Sequence, residues 1–232
     1  MGIQAWFPTL IYDKGLKPTE EVRKGMLDYV TDFYEKTKED NIGAANITGD
    51  VTGDYQIAKE PQFDWLNKEV ATHCKNYLRE FGVYPDNLNL FSSKSWAVVC
   101  GHTIDTSDAK YAIEKHNHPN SHLSAVFYLQ TEDYQGGELE LDAPSTHPLW
   151  YVPLAPHVEK IPYASLTSID YLPVINQLII FPSSVMHCVK PYYGSDLRYS
   201  ITYDILITGK KDLDMNNEMC IVNPDNWIDI DE

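Results

Sequence analysis

The chain has 232 residues, 43% of them hydrophobic, which is enough for one domain with its own core and unlike a disordered segment. Its 34 acidic residues against 18 basic ones give a formal net charge of −16, and no cluster of Lys and Arg is available to bind nucleic acid or an anionic membrane surface. The sequence has no signal-peptide pattern, no apolar run of membrane-spanning length and four scattered cysteines without a CxxC pair, so we expect a soluble cytoplasmic protein with free thiols.

The first third of the sequence predicts two amphipathic helices. In "TEEVRKGMLDYVTDFYEKTKED", apolar residues such as Met26 and Val30 recur at helical spacing. In "FDWLNKEVATHCKNYLREFG", the final Gly82 is a helix stop. The apolar face of this second helix is predicted to contain Phe63, Leu66, Val70, Cys74, Tyr77, Leu78 and Phe81. The Gly- and Asn-rich segment "NIGAANITGDVTGD" between the helices predicts a loop.

From Leu88 onwards the pattern changes to short segments of β-branched and aromatic residues separated by turn residues, which is typical of strands. The predicted strands are "LFSSKSWAVVC", "HLSAVFYLQ", "GELELD", "NQLIIFP", "MHCVKPYY" and "RYSITYDILI". Residues 142–173 contain six prolines and predict a long loop or flap. The predicted fold is mainly β with flanking α: a double-stranded β-helix, or jelly roll, with the N-terminal helices packed on one sheet.

Three histidines lie close together in "KHNHPNSH", just before a predicted strand. Since residues i and i+2 of a strand face the same side, the imidazoles of His116 and His118 could share a metal ion. His122 lies beyond the Pro-Asn-Ser turn and is predicted to be a rim residue.

A second group of polar residues follows near the end of the predicted strands. His187 is followed, after ten intervening residues, by Arg198, and Arg198, Ser200 and Thr202 share one face of a strand. The planar guanidinium group of arginine binds a carboxylate through two parallel hydrogen bonds, and neighbouring hydroxyls can add more. The sequence therefore predicts a metal site together with a carboxylate anchor.

The motifs "HNH", "VFYLQ", "GGELEL", "FPSSVMH" and "RYSIT" resemble those of the iron(II)- and 2-oxoglutarate-dependent oxygenases, most closely the prolyl-hydroxylase-like branch. The segments "AWFPTLIY" and "SWAVV" are similar to a bacterial and viral sub-branch that has HxHP in place of the usual HxD. The resemblance is firm over residues 91–207 and looser before them.

The resemblance implies a role for each matching residue. His116 and His187 match metal ligands, and Arg198 matches the residue that pairs with the distal carboxylate of 2-oxoglutarate. Tyr128 matches a tyrosine that assists there, and Ser200 or Thr202 matches a hydroxyl partner. The implied cofactors are Fe(II), 2-oxoglutarate as co-substrate, and O2.

His118 departs from the family, which has a carboxylate in this place. Three hypotheses stay open. His118 ligates the metal itself and completes a three-histidine site, or it turns aside and a water takes the third place. The third hypothesis is an ion other than iron, because imidazole also suits zinc, nickel and copper.

The activity that the resemblance implies is hydroxylation of a C–H bond with release of succinate and CO2. The expected partner is a small-molecule or peptide substrate, with a prolyl or other amino-acid substrate favoured, entering near residues 142–173. A cupin-like metal enzyme that does not use 2-oxoglutarate, or a non-catalytic jelly-roll binding module, is the alternative.

The expected domain organisation is a single oxygenase domain over residues 1–232. Within it, helical support extends to about residue 88, the jelly-roll core covers about 89–208, and the C-terminal tail covers about 209–232. The sequence leaves the oligomeric state open.

Overall fold

The computed structural model describes residues 9–38, 45–48, 55–101, 112–144, 167–210, 223–228 and 230. These described residues form two α-helices, which are α1 (Glu20–Thr37) and α2 (Asp64–Glu80). They also form ten strands: β1 (Tyr12–Gly15), β2 (Ala45–Thr48), β3 (Leu88–Cys100), β4 (Ile113–His116), β5 (Leu123–Gln130), β6 (Leu139–Asp142), β7 (Ser168–Tyr171), β8 (Gln177–Pro182), β9 (His187–Val189) and β10 (Arg198–Gly209).

Helix α1 begins where the sequence provides a cap. The side chain of Thr19 accepts a hydrogen bond from the backbone amide of Val22, which satisfies one of the amides left free at a helix start. Met26 and Val30, one turn apart, are buried against the sheet. The helical spacing in the sequence therefore identified the correct buried face.

Helix α2 ends at the predicted glycine. Gly82 has a φ of 73°, its amide donates to the carbonyl of Arg79, and the amide of Val83 donates to the carbonyl of Leu78. This is the Schellman arrangement, which needs the left-handed conformation that glycine adopts without strain. Phe81 packs edge-on against Tyr77 of the predicted apolar face, but it is 51% exposed because it is the residue at which the chain leaves the helix.

The strands form two antiparallel sheets. The larger sheet has the order β1-β8-β5-β10-β3-β2, and the smaller one has the order β4-β9-β6-β7. Both helices pack on the outer face of the larger sheet and build the main hydrophobic core with residues such as Phe127 and Ile201. The inner face of the larger sheet packs on the smaller one through residues such as Val126, Phe181 and Leu141. The predicted jelly roll with helices on one sheet is confirmed.

Two predicted loops contain strands. Residues 45–48 of the Gly- and Asn-rich segment form β2, which pairs with residues 97–100 of β3. Residues 168–171 at the end of the Pro-rich segment form β7, which pairs with β6. Both are edge strands, which owe their conformation to the neighbouring strand rather than to their own propensity. Residues 145–166 of the predicted flap lie outside the described residues.

The described cysteines, Cys74, Cys100 and Cys188, are free and buried, as expected for reduced thiols. Among the described residues, neither helix is both long enough and apolar enough to cross a membrane.

Candidate active site

Two of the three candidate histidines come from neighbouring strands of the smaller sheet. His116 ends β4 and lies directly opposite His187, the first residue of β9. Pairing of these strands brings the two imidazole centroids within 4.3 Å of each other. The ring of Phe181 lies edge-on to His187 with a centroid distance of 5.0 Å, which restricts the rotation of that imidazole.

His118 reaches the same place by a different route. The prediction that it shares a strand face with His116 is wrong, because β4 ends at His116. The backbone amide of His118 donates to the carbonyl of Ser183, at the end of β8. Its ring stacks on Trp96 at a centroid distance of 5.6 Å and lies 5.1 Å from the ring of His116. Contact with the larger sheet therefore positions this histidine.

The three histidines could hold a metal ion, because one ring nitrogen from each lies within 4.8 Å of the others. Every Nδ1 atom is already occupied, which leaves the Nε2 lone pairs for a ligand. The Nδ1 contacts are His116 with the carbonyl of Glu114 at 2.7 Å, His187 with the carbonyl of Val185 at 2.9 Å, and His118 with the carboxylate of Asp204 at 2.6 Å.

Burial favours the neutral imidazole, which is the form that binds metals, at His116 and His187. Burial lowers the pKa of His187 to about 4, and burial also lowers the pKa of His116. The Nε2 atom of His118 is buried and has no hydrogen-bond partner among the described residues. A buried nitrogen without a partner is costly, and a metal ion at the centre of the cluster would satisfy it.

Arg198 lies on the inner face of β10 and is only 1% exposed. One guanidinium nitrogen approaches the sulfur of Cys100 at 3.5 Å, and the Nε atom has no hydrogen-bond partner among the described residues. Within the same described parts of the chain, no acidic side chain forms an ion pair with Arg198. Because an uncompensated buried charge destabilises a protein strongly, this arginine is suited to receive an anion.

Tyr128 lies beside Arg198, with the guanidinium carbon 5.1 Å from the centre of the phenol ring. Its hydroxyl is buried without a hydrogen-bond partner in the described structure, and burial raises its pKa, so the phenol remains a donor. Ser200 lies directly opposite Tyr128 in the sheet. Ser200 and Thr202 are buried on the same face of β10 as Arg198, as the alternation predicted. The structure therefore brings Arg198, Tyr128 and Ser200 together, whereas Thr202 shares their face but lies four residues along β10 from Arg198.

Sequence reasoning missed two residues of this site. Gly137, in the motif "GGELEL", has a φ of 73°, and a Cβ atom there would lie 3.1 Å from Cδ of Arg198. Asp204 contacts His118 and continues the face formed by Arg198, Ser200 and Thr202. Extending the alternation by one more step would have found Asp204, whereas no local signal indicates the contact of Gly137 with Arg198.

A cleft of about 430 Å³ opens beside the histidines. Lys94 and Trp96 line it on one side, and residues 113–120 and Asp204 line the rest. His122 takes no part, because it is exposed and its Nδ1 accepts the amide of Ile207. This volume lies in the range of small-molecule sites, which run from about 300 to 1,000 Å³.

A jelly roll that places three histidines and an unpaired arginine between its sheets is the arrangement expected of an iron(II)- and 2-oxoglutarate-dependent oxygenase. Residues 94–204 match the model of a family described as "Putative 2OG-Fe(II) oxygenase", and this range contains the histidines and Arg198. Over these residues the chain is similar to that family of oxygenases, whose description names Fe(II) and 2-oxoglutarate.

Solved structures support the fold. The chain is similar to the non-heme alpha-ketoglutarate-dependent epimerase SnoN of nogalamycin biosynthesis, with a TM-score of 0.54, 12% identity, and coverage of 90% of this chain and 86% of that one. It is similar to AviO1 from Streptomyces viridochromogenes Tue57, with a TM-score of 0.53, 12% identity, and coverage of 85% and 90%.

The chain is also similar to a prolyl hydroxylase from Trichoplax adhaerens, solved with a hypoxia-inducible-factor peptide, with a TM-score of 0.50 and 15% identity. The alignment covers 84% of this chain and 83% of that one. At these identities the likeness establishes the fold. Comparison with curated proteins yields no match.

Proposed function

We propose that the protein is a hydroxylase in which His116, His118 and His187 hold Fe(II) and Arg198 anchors 2-oxoglutarate. The observation that carries this proposal is the buried guanidinium group of Arg198, which lacks an acidic partner among the described residues. A co-substrate with two carboxylates accounts for this charge, whereas a metal enzyme without such a co-substrate has no need of it.

Each residue of the co-substrate pocket would have a distinct task. Arg198 would donate two parallel hydrogen bonds to the far carboxylate, and the hydroxyls of Tyr128 and of Ser200 or Thr202 would complete its partners. When bound, Fe(II) and 2-oxoglutarate supply an oxidant for C–H bonds at the cost of converting 2-oxoglutarate and O2 into succinate and CO2. The protein's own contribution is orientation and the exclusion of water, to which the rings of Phe181 and Trp96 contribute by covering His187 and His118.

The cleft beside the histidines is the proposed substrate site. Its two lysines differ: Lys115 pairs with Glu140 and Asp142, while Lys94 forms no ion pair among the described residues. A lysine without an acidic partner in a mostly acidic protein is suited to bind an anionic group. We therefore propose a substrate with a carboxylate, such as free proline, another amino acid or an acidic peptide.

The chain is proposed to be one oxygenase domain, in which residues before 88 support a core over about 89–208 and residues after 209 form a tail. Continuity of the main core supports this proposal, since α1, α2 and the larger sheet share one hydrophobic cluster. Strands β1 and β2 lie before residue 88 yet belong to the larger sheet, so the supporting segment also completes that sheet.

The proposal is tested by measuring succinate release from 2-oxoglutarate by the iron-loaded protein, with product masses recorded for a panel of amino acids and peptides. We expect substrate-dependent succinate and a product one oxygen atom heavier, with free carboxylates preferred over their amides. His187→Ala is expected to abolish both signals, and Lys94→Met is expected to raise KM for the carboxylate substrate while leaving kcat nearly unchanged.

Succinate release without an added oxygen atom would indicate a different reaction of the substrate, such as a desaturation, which removes two hydrogen atoms, or an epimerisation, which leaves the mass unchanged. Metal binding without any consumption of 2-oxoglutarate would favour the cupin-like alternative.

A further inference from the structure

The three-histidine cluster carries one negative charge fewer than the two-histidine, one-carboxylate set that oxygenases of this kind use. The structure contains a carboxylate one contact further out. An oxygen of Asp204 lies 2.6 Å from Nδ1 of His118, and the Asp204 side chain is 7% exposed. The hydroxyl of Ser124 donates to the same carboxylate oxygen at 3.2 Å.

We propose that Asp204 is a positioning residue that orients His118 towards the metal and supplies, through the imidazole, the negative charge that a carboxylate ligand would otherwise bring. This inference rests on the proposed function, because it takes the histidine cluster to be the metal site. It concerns metal binding, so it can be tested without 2-oxoglutarate.

The hydrogen-bond geometry supports the first role of Asp204, which is to orient the imidazole ring of His118. When Asp204 accepts a hydrogen bond from the protonated Nδ1 of His118, the lone pair of Nε2 is free, and Nε2 is the buried atom without a partner. Carboxylates that accept the second proton of a ligating histidine fix its tautomer and increase its basicity. Trp96, stacked on His118 with an interplanar angle of 11°, holds the ring in the plane that this hydrogen bond requires.

The surroundings of Asp204 support its second role, which is to supply negative charge to His118. Lys94 lies directly opposite Asp204 in the sheet, yet the two side chains form no ion pair. The carboxylate is therefore directed at His118 rather than at Lys94. A plain ion pair between a doubly protonated His118 and Asp204 would leave a buried Nε2–H without an acceptor, which is costly.

The first test measures Co(II) affinity by competition with a chromophoric chelator. Asp204→Asn keeps the shape and an acceptor oxygen but removes the charge, and we expect it to weaken Co(II) binding about 10- to 100-fold, the usual range for losses in the outer shell. Glu140→Gln is the matched control, because it also removes one negative charge. Glu140 lies on the face of the smaller sheet that points away from the histidines, where it pairs with Lys115 and Lys190. We expect that control to bind Co(II) as the wild type does.

The second test moves the negative charge from position 204 to position 118. In the double variant His118→Asp/Asp204→Asn the carboxylate stands in the ligand position itself, and we expect Co(II) affinity within about threefold of the wild type, a change below 1 kcal/mol. A residue that merely stabilised the fold would not be rescued in this way. If Asp204→Asn binds Co(II) like the wild type, or if the double variant binds no better than the single one, the proposal is overturned.

The third test uses the wild-type protein, so it does not depend on the folding of a variant. In a long-range proton–nitrogen correlation spectrum of the Zn(II)-loaded protein, we expect His118 to be protonated at Nδ1 and metal-bound at Nε2. Protonation at both nitrogens, or metal at Nδ1, would contradict the role of Asp204. Absence of metal binding in the wild type would instead contradict the proposed function.

Discussion

The two faces of β10 are equally buried but have opposite chemistry. On the outer face, Tyr199, Ile201, Tyr203 and Ile205 belong to the core under the helices. On the inner face lie Arg198, Ser200, Thr202 and Asp204, all of them at most 7% exposed. Burial alone therefore does not distinguish structural from functional residues in this strand. What distinguishes them is side-chain chemistry: the outer-face residues are aromatic or aliphatic, whereas the inner-face residues are polar or charged.

The two faces of β10 contribute differently to the stability of the fold. Apolar residues of the outer face stabilise the fold by leaving water, whereas the polar residues of the inner face lose hydration. On and beside the inner face, Nε of Arg198, the hydroxyl of Tyr128 on β5 and Nε2 of His118 have no hydrogen-bond partner in the described structure. We expect changes on the outer face to affect stability and changes on the inner face to affect binding.

The largest effect is expected for Arg198→Ala. Two hydrogen bonds to a charged group contribute about 1.5–3 kcal/mol each, so affinity for 2-oxoglutarate is expected to fall about 100-fold or more. Arg198→Lys keeps the positive charge but lacks the planar guanidinium group that donates two parallel hydrogen bonds. It is therefore expected to recover only part of the lost affinity for 2-oxoglutarate. Titration of 2-oxoglutarate into the Fe(II)-loaded protein without oxygen, followed by the metal-to-ligand charge-transfer band, measures this.

Arg198→Met supplies the control on stability. It removes an unpaired buried charge while retaining much of the volume, so we expect the free energy of unfolding of the metal-free protein to be unchanged or higher. Unchanged 2-oxoglutarate affinity in Arg198→Ala would remove this strand from the co-substrate site and favour the cupin-like alternative.

On the opposite face, Ile201→Ala is expected to lower the free energy of unfolding by about 2–5 kcal/mol, because it opens a cavity in the main core. Ile201 is fully buried there and lies between Ser200 and Thr202 in the strand. Chemical denaturation measures the loss. In the protein that remains folded, 2-oxoglutarate affinity should stay within about threefold of the wild type. A loss of affinity as large as that of Arg198→Ala would mean that the two faces are not separable.

A pH dependence of stability is expected from His187. Because its pKa is lowered from 6.5 to about 4 in the folded protein, the unfolded chain binds more protons between these two values. Stability of the metal-free protein should therefore fall as the pH falls from about 6.5 to 4, by on the order of 3 kcal/mol in total. His187→Gln should show less of this loss, and denaturation at several pH values compares the two proteins. Equal slopes would contradict the lowered pKa.

The smallest effect is expected for Gly137→Ala. A left-handed conformation costs a residue with a side chain about 1–2 kcal/mol, and the new Cβ would press on Arg198. We expect 2-oxoglutarate affinity to fall about tenfold, which corresponds to 1.4 kcal/mol. Gly25→Ala is the control, because Gly25 lies within α1 with no atom within 4 Å of an added Cβ, and it should leave affinity unchanged. Equal affinities in the two variants would exclude a role for Gly137 in placing Arg198.

The amino-acid sequence alone determined the class of fold, both helices and most of the strands of the two sheets. Those features follow from local periodicity and from stop residues such as Gly82, which act over a few positions. Periodicity also predicted the face shared by Arg198, Ser200 and Thr202. The motif resemblance identified His116 and His187 as a pair, and β4 and β9 place them directly opposite each other.

Only the tertiary structure decided how the third histidine joins the site. A period of two predicted that His118 would follow His116 along a strand, but the strand ends there, and contacts with Ser183, Trp96 and Asp204 position the ring. The contact between His118 and Asp204 joins residues 86 positions apart, and the edge strand β2 depends on β3 in the same way. Such contacts form when distant segments pack together. They cannot be predicted from the local sequence, because their energy depends on the partner segment.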